Sequence, residues 1–248
     1  MDWFPEGQAD QAEVDQVIES MLEDMRSQGV DMSRPIPVEM QLCFRSDQET
    51  MRAGAELMLA GWPGVRAGGG GTATHMPTVV ALYELVPTVE SLRASRQQLV
   101  DFAATRGGIV VADQEGGESA FSGNDWKQHT EQLSEAEQQQ EEQMVLDQLF
   151  AFDIDLKRPA TITGGIAFES AQGAREAAAE LFLARWPEVH VVPSASFWVV
   201  EVVIKMVPTL EGLRDMRVGL SSFAAPRGGS FVGVSTSAEA PKQVQEES

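Results

Sequence analysis

The chain of 248 residues carries the same pattern of residues twice, and this repeat constrains the fold more than any other feature. At an offset of 124 positions, AELMLAGWPGV from Ala55 matches AELFLARWPEV from Ala179. Further along, VPTVESLRASR from Val86 matches VPTLEGLRDMR from Val207 at an offset of 121, so one loop is three residues longer in the first copy. Matches that continue across a single change in length indicate a tandem duplication. The two halves are therefore expected to share one fold.

Each copy has the same order of local patterns, and the first copy illustrates this order. Apolar and polar residues alternate over 38–44, which predicts a strand with one buried face. Ser46 and Glu49 have the S-x-x-E signature of a capping box, which opens a helix that ends before a Trp-Pro pair. A short strand near Val65 and a long strand over 76–86 follow. Thr88 then caps a second helix, which leads into a last strand.

The order strand, helix, strand, strand, helix, strand predicts an α+β protein with two tandem ferredoxin-like (βαββαβ) domains. Each copy also has a helix in front of its first strand, which we expect to pack on its own domain because it has one apolar stripe. The predicted organisation is a first copy over 10–113, a linker over 114–125, a second copy over 126–236 and a disordered tail over 237–248.

A Phe-Ala-Ala-x-Arg-Gly-Gly phrase closes the second helix of both copies, beginning at Phe102 and at Phe223. Arg-Gly-Gly also occurs in RNA-binding tails, but those tails contain many repeats in a basic context. In this chain we interpret the phrase as a helix C-terminus. The Arg would face the negative end of the helix dipole, and a Gly would adopt the left-handed turn.

The net charge of −20, from 38 acidic and 18 basic residues, constrains the possible partners. It opposes direct binding to nucleic acid, whose affinity comes mostly from cationic side chains, and it opposes binding to anionic membranes. It favours a basic protein partner. The N-terminus lacks the pattern of a secretory signal, and a single cysteine, Cys43, suits a reducing compartment, so a cytoplasmic location is expected.

The residue types that usually carry chemistry do not form a catalytic or metal-binding pattern. His75, His129 and His190 have no second ligand at i+3 or i+4. The glycine run over 68–71 lacks the Lys-Ser/Thr of a phosphate loop. Cys43 aligns with an alanine in the second copy, which indicates close packing rather than a nucleophile. We therefore expect no enzymatic activity, no cofactor and no metal.

The carboxylates of the two helices that precede the first strands are the candidate partner-binding residues. No Lys or Arg precedes Arg26, and only Lys127 lies between Arg106 and Lys157, so these helices lack the cations that usually accompany exposed acidic residues. Such acidic helices are plausible docking surfaces for a basic partner. The candidate residues are Glu13, Asp15, Glu19, Glu23, Glu131, Glu135, Glu141 and Glu142.

The ordered motifs resemble a known family. An acidic helix leads to a turn that contains Gly29-Val30-Asp31 and Arg34-Pro35. A strand with one apolar face follows, and then an alanine-rich helix that ends at Gly-Trp in the first copy and at Arg-Trp in the second. The last motif is a segment with the pattern VPT…L…R…L…A…GG. This pattern is similar to that of the RraB family, protein inhibitors of ribonuclease E with a ferredoxin-like fold. The resemblance implies a non-catalytic regulator of RNA turnover whose protein partner is ribonuclease E or another basic protein of RNA turnover. Family members usually continue the Gly pair with an aromatic-Asp-Gly-Trp phrase, and neither copy has it.

An alternative function is a small-molecule sensor, because paired ferredoxin-like domains often hold a ligand between their sheets or helices.

The sheet face without helices should carry Cys43, Val80 and Leu82 in the first copy, and Ala167 and Val203 in the second. These residues are too apolar for a surface that faces only water. We therefore predict that the two open faces pack together as an internal pseudo-dimer, with Glu84 close to Lys205.

Overall fold

A computed structural model describes residues 11–68, 77–115 and 135–236 of the chain. The chain divides into two compact units, Met1–Phe121 and Ser122–Ser248. The packing of the two open sheet faces on one another stays a prediction.

The described residues form the same order of elements in both units. The first unit contains α1 (Gln11–Ser27), β1 (Ile36–Cys43), α2 (Asp47–Leu59), β2 (Gly64–Gly68), β3 (Thr78–Leu85), α3 (Val89–Ala104) and β4 (Ile109–Glu115). The second contains α4 (Glu135–Ala151), β5 (Ala160–Phe168), α5 (Ala171–Leu183), β6 (Glu188–Pro193), β7 (Trp198–Met206), α6 (Leu210–Ala224), a 3-10 turn (Ala225–Arg227) and β8 (Ser230–Thr236). The α+β class predicted from the sequence is confirmed.

The strands of each unit pair in an antiparallel manner and in the same spatial order. That order is β4-β1-β3-β2 in the first unit and β8-β5-β7-β6 in the second. The register of the edge strand shifts next to Gln41 in β1 and next to Gly165 in β5, which are equivalent positions at the offset of 124. Even this local irregularity of the ladder is therefore repeated.

The helices pack on one face of each sheet. A Cβ added to Gly164 of β5 would lie 2.6 Å from Leu220 Cδ1 and 2.7 Å from Met216 Cε, both on α6, so this side of β5 faces the helix. Side chains paired across strands point to the same face. Val202, the partner of Gly164, therefore faces the helices, whereas its neighbour Glu201 lies on the opposite face.

The helix starts follow the N-caps that the sequence predicts. Ser46 accepts a hydrogen bond from the backbone N of Glu49 at 3.2 Å, and α2 begins at the next residue after the cap. Thr88 caps α3 and forms a reciprocal capping box with Ser91. The same cap positions, 170 and 209, are used in the second unit, so local capping chemistry fixes the same helix boundaries twice.

Some predicted boundaries differ from the observed ones or lie outside the described residues. The helix expected from residue 126 is described from Glu135 onwards, and β4 continues to Glu115, inside the segment predicted as a linker. The rest of that linker, most of the glycine run after Gly68 and the predicted tail over 237–248 lie outside the described residues.

Candidate partner-binding surface

The helices that carry the candidate residues pack on their own units, as predicted from their apolar stripes. α1 contacts α3, and α4 contacts both α6 and β8. The buried stripe consists of Val14, Ile18, Leu22 and Met25 in α1, and it includes Val145 and Leu149 in α4. Burial of this stripe against the neighbouring helix leaves the opposite side of each helix towards solvent.

Asp15 is held by an arginine of the neighbouring helix. Arg93 of α3 donates from Nε to Asp15 Oδ1 at 2.9 Å and from Nη2 to Asp15 Oδ2 at 2.8 Å, a bidentate pair. These hydrogen bonds, with the charge of Asp15 and smaller contributions from Glu90 and Glu19, raise the pKa of Arg93. Asp15 on α1 thus receives its counter-charge from a residue 78 positions away, on a different helix.

Glu142 is buried, which corrects the expectation that its carboxylate lies on a docking surface. Its side chain is only 2% exposed, and Arg217 of α6 donates from Nε to Glu142 Oε1 at 2.7 Å. Arg217 also donates to Gln138 Oε1 at 2.7 Å, and Arg214 Nε lies 4.0 Å from Glu142 Oε2. At the equivalent position of the first unit stands a buried apolar residue, Ile18. Glu142 therefore belongs to the packing between α4 and α6.

The remaining candidate carboxylates are placed as follows. Glu19 and Glu23 are exposed on α1, and Arg26 Nη1 lies 3.4 Å from Glu23 Oε2. Glu141 is half-buried on α4. Glu131 and the side chains of Glu13 and Glu135 lie outside the described residues.

The outer side of α4 has an apolar character that sequence reasoning missed. Phe150 is 74% exposed, the highest value among the large apolar side chains in the described part of the chain. Met144 is 48% exposed, and Phe152, just after the helix, is 37% exposed. Their counterparts at the offset of 124 are all polar: Ser20, Arg26 and Gln28. A comparison of the two copies for differences, rather than for matches, could have found these three exposed apolar residues.

The Arg-Gly-Gly phrases close the helices in the way that the sequence predicts. Gly107 and Gly228 have φ of 69° and 72°, in the left-handed region. The next glycine permits a close approach, because a Cβ on Gly108 would lie 2.5 Å from Phe44 Cε1. The same holds for Gly229, where a Cβ would lie 2.6 Å from Cε1 of a phenylalanine of β5. Both glycines of the phrase are therefore required by the backbone and by packing.

The arginines of these phrases are engaged within their units. Arg106 lies over the ring of Phe102 at 3.7 Å from its centroid, donates to the carbonyl of the same residue at 3.1 Å and pairs with Glu56. Arg227 repeats this arrangement, with its Nε 2.9 Å from Glu180 Oε2 and its guanidinium over a phenylalanine at 4.0 Å. These contacts join the closing helix of each unit to the helix that carries the glutamate.

A second group of polar residues lies on the sheet face opposite the helices. His190 of β6 is directly across from Glu201 of β7, and both are fully buried. His190 Nε2 lies 2.9 Å from Glu188 Oε1, and its Nδ1 lies 3.7 Å from Glu201 Oε2. Burial acts to lower the pKa of His190, but the two carboxylates outweigh it and raise that pKa.

The first unit has an ion pair on the same face. Arg66 occupies the position equivalent to His190, and it donates from Nη2 to Glu39 Oε2 at 2.6 Å. Cys43 and its counterpart Ala167 are both buried on this face, as their small size suggested. Sequence reasoning missed the pairing of His190 with Glu201 because the two residues meet only through strand pairing, 11 positions apart.

Within the described ranges, no group of three or more His, Cys, Asp or Glu side chains could hold a metal ion. His75 and His129 lie outside those ranges. No helix among the described residues is both long enough and apolar enough to cross a membrane. No family model matches the chain, and no curated protein matches it.

Proposed function

We propose that the protein is a non-catalytic regulator that binds a basic protein partner, and that this partner is ribonuclease E, as the resemblance to the RraB family implies. One observation carries the proposal. α1 and α4 each contain five acidic residues, whereas the two helices together contain one basic residue, Arg26. Both helices form an outer layer of their units, so their excess of acidic over basic residues can attract a basic surface.

The proposed fold assignment is two tandem ferredoxin-like domains. It is supported by the element order that follows α1 and α4, which is strand, helix, strand, strand, helix, strand in both units. It is further supported by the antiparallel pairing, in which the first and third strands are central. A cytoplasmic location, where ribonuclease E acts, is part of the same proposal.

The test is binding of the purified chain to purified ribonuclease E, measured by calorimetry at several salt concentrations from about 50 to about 500 mM. Salt screens the interactions between exposed charges increasingly over this range. We expect binding that weakens steeply as salt rises, and slower cleavage of an RNA substrate by ribonuclease E when the chain is added. The chain alone should not cleave the RNA. Turnover of RNA by the homogeneous chain, or absence of binding at low salt, would contradict the proposal.

A small-molecule sensor is the second candidate. The observation that favours it is the buried polar group on the sheet face opposite the helices, which includes Thr163, His190 and Glu201. Such groups can fix the orientation of a ligand. The test is a thermal-shift screen with amino acids and nucleotides, in which a ligand should stabilise the wild type and not the His190→Gln variant. A ligand that stabilises both proteins equally would argue against this site.

A further inference from the structure

The end of α4 differs from the end of α1 in one specific way, although the two backbones end alike. Val30 N bonds to Met25 O at 3.1 Å, and Ile154 N bonds to Leu149 O at 3.0 Å, so the chain leaves both helices by the same turn. The side chains carried by this shared turn are nevertheless different. The difference is therefore not a consequence of the fold.

In the first unit the end of α1 is polar, and its two exposed carboxylates, Glu23 and Asp24, are accompanied by one exposed arginine. Arg26 is paired with Glu23, and Gly29 adopts the left-handed turn with φ of 79°. Glycine is the residue with the least strain at such a position. This end of the helix therefore has the composition expected of a surface that contacts only water.

In the second unit the equivalent surface is aromatic and acidic. Phe150 stands in the place of Arg26, so Asp147, the counterpart of Glu23, loses its arginine and accepts instead a hydrogen bond from Gln143 at 2.8 Å. Asp153 stands in the place of Gly29 and adopts φ of 56°, a strained region for a side chain with a Cβ. The net effect is two exposed carboxylates beside two exposed phenylalanines.

We infer that Phe150, Phe152, Asp147 and Asp153 form the docking surface of this protein, and that its occupant is a protein with an apolar pocket bordered by lysine or arginine. This inference rests on the proposed function and identifies the surface that performs it. An exposed aromatic side chain that enters a pocket is a common source of most of the binding energy at an interface. The flanking carboxylates select a basic border and speed the encounter.

The charge argues against a second copy of the same chain as the occupant. Two chains of net charge −20 repel each other, and a symmetric contact would bring the same carboxylates together. A partner with the opposite charge removes both penalties. The surface therefore fits a different, basic protein.

The test uses the Phe150→Arg variant, which installs the residue that the first unit already carries at this position. The full-length wild type and variant are titrated against purified ribonuclease E, the partner proposed above. We expect the dissociation constant to rise about tenfold or more in the variant, the size of a lost hot spot. The melting temperature should not change, because the side chain is exposed.

The matched control is Leu183→Arg. Leu183 is 53% exposed, and its counterpart Leu59 is also an exposed leucine, so this position does not distinguish the two units. We expect this control to bind like the wild type. Asp153→Gly, which restores the residue of the first unit, should weaken binding and reduce its dependence on salt. If Phe150→Arg lowers the melting temperature, Phe150→Gln takes its place in the titration.

The outcomes separate the inference from the proposed function. Equal binding by the wild type and the Phe150 variant overturns the docking surface and leaves the proposed function in place. No binding by the wild type overturns both. Light scattering that shows self-association of the wild type, abolished in the Phe150 variant, assigns the surface to a second copy and overturns the basic partner.

Discussion

Replacement of Arg217 by methionine tests the conclusion that Glu142 belongs to the buried packing between α4 and α6 and is not part of a docking surface. The variant keeps most of the length of the side chain and removes the donor that lies 2.7 Å from the buried carboxylate. Within the described residues, a second cation, Arg214, has its Nε 4.0 Å from Glu142 Oε2. The carboxylate would then remain buried without its hydrogen-bond donor.

Loss of one partner from a buried ion pair costs about 3–5 kcal/mol. The residual attraction of Arg214 offsets part of this cost, so we expect a loss of about 3 kcal/mol in the free energy of unfolding of the second unit. The corresponding Arg93→Met change in the first unit breaks a pair whose side chains are 28% and 43% exposed. Water can solvate the freed Asp15, so this loss should stay below about 1 kcal/mol.

The double variant Glu142→Ile/Arg217→Met provides the sharper comparison, because the buried isoleucine at position 18 is the apolar solution that the first unit already uses. Replacement of a buried ion pair by apolar residues is often neutral, so its stability should lie within about 1 kcal/mol of the wild type. Differential scanning calorimetry should show the Arg217→Met transition roughly 10 °C lower and that of the double variant close to wild type. A loss below about 1 kcal/mol in Arg217→Met, or a double variant as unstable as the single one, would refute the reasoning.

Two further changes test the packing of the helix ends and the buried histidine. Gly108→Ala should destabilise the first unit by about 2 kcal/mol or more, because its Cβ would overlap Phe44. Gly219→Ala, whose Cβ would have nothing within 4 Å, should increase the stability of the second unit by up to about 1 kcal/mol. Equal melting temperatures for the two variants would contradict this reasoning. The raised pKa of His190 means that its contribution to stability is complete below about pH 6.5 and is lost as the pH rises through the folded-state pKa. The difference in melting temperature between wild type and His190→Gln should therefore shrink as the pH rises from about 5.5 to about 8.5, the range in which histidine usually titrates. A difference that grows with pH would contradict the prediction.

The features that the sequence predicts well are those that depend on neighbours along the chain. The N-caps at Ser46 and Thr88, the alternation in β1 and the left-handed glycine at position 107 each follow from residues within about one helical turn of the feature. The repeat adds a second observation of each pattern. Local chemistry and duplication together were sufficient to predict the α+β class and most helix ends.

The features that the sequence did not predict depend on residues brought together by the fold. Glu142 and Arg217 are 75 positions apart, and their contact requires α4 to lie on α6. An acidic residue on a helix without nearby cations therefore looked solvated when it was buried and paired. The exposure of Phe150 was missed for the opposite reason, since an aromatic residue in an apolar segment is usually expected in the core.

Some equivalent side chains make the same contacts in both units and others differ, and this pattern restricts how one partner can bind the two units. Residues that serve the scaffold, such as the arginines at 106 and 227 and the glycines that follow them, make the same contacts twice. The outer positions at the end of the first helix do not agree, because Arg26 and Phe150 present opposite chemistry to solvent. A partner that docked on both units in the same way would need the same side chains on both surfaces. Because the units share their scaffold but not this surface, we expect one partner to engage the two units unequally, with the aromatic end of α4 as the stronger contact.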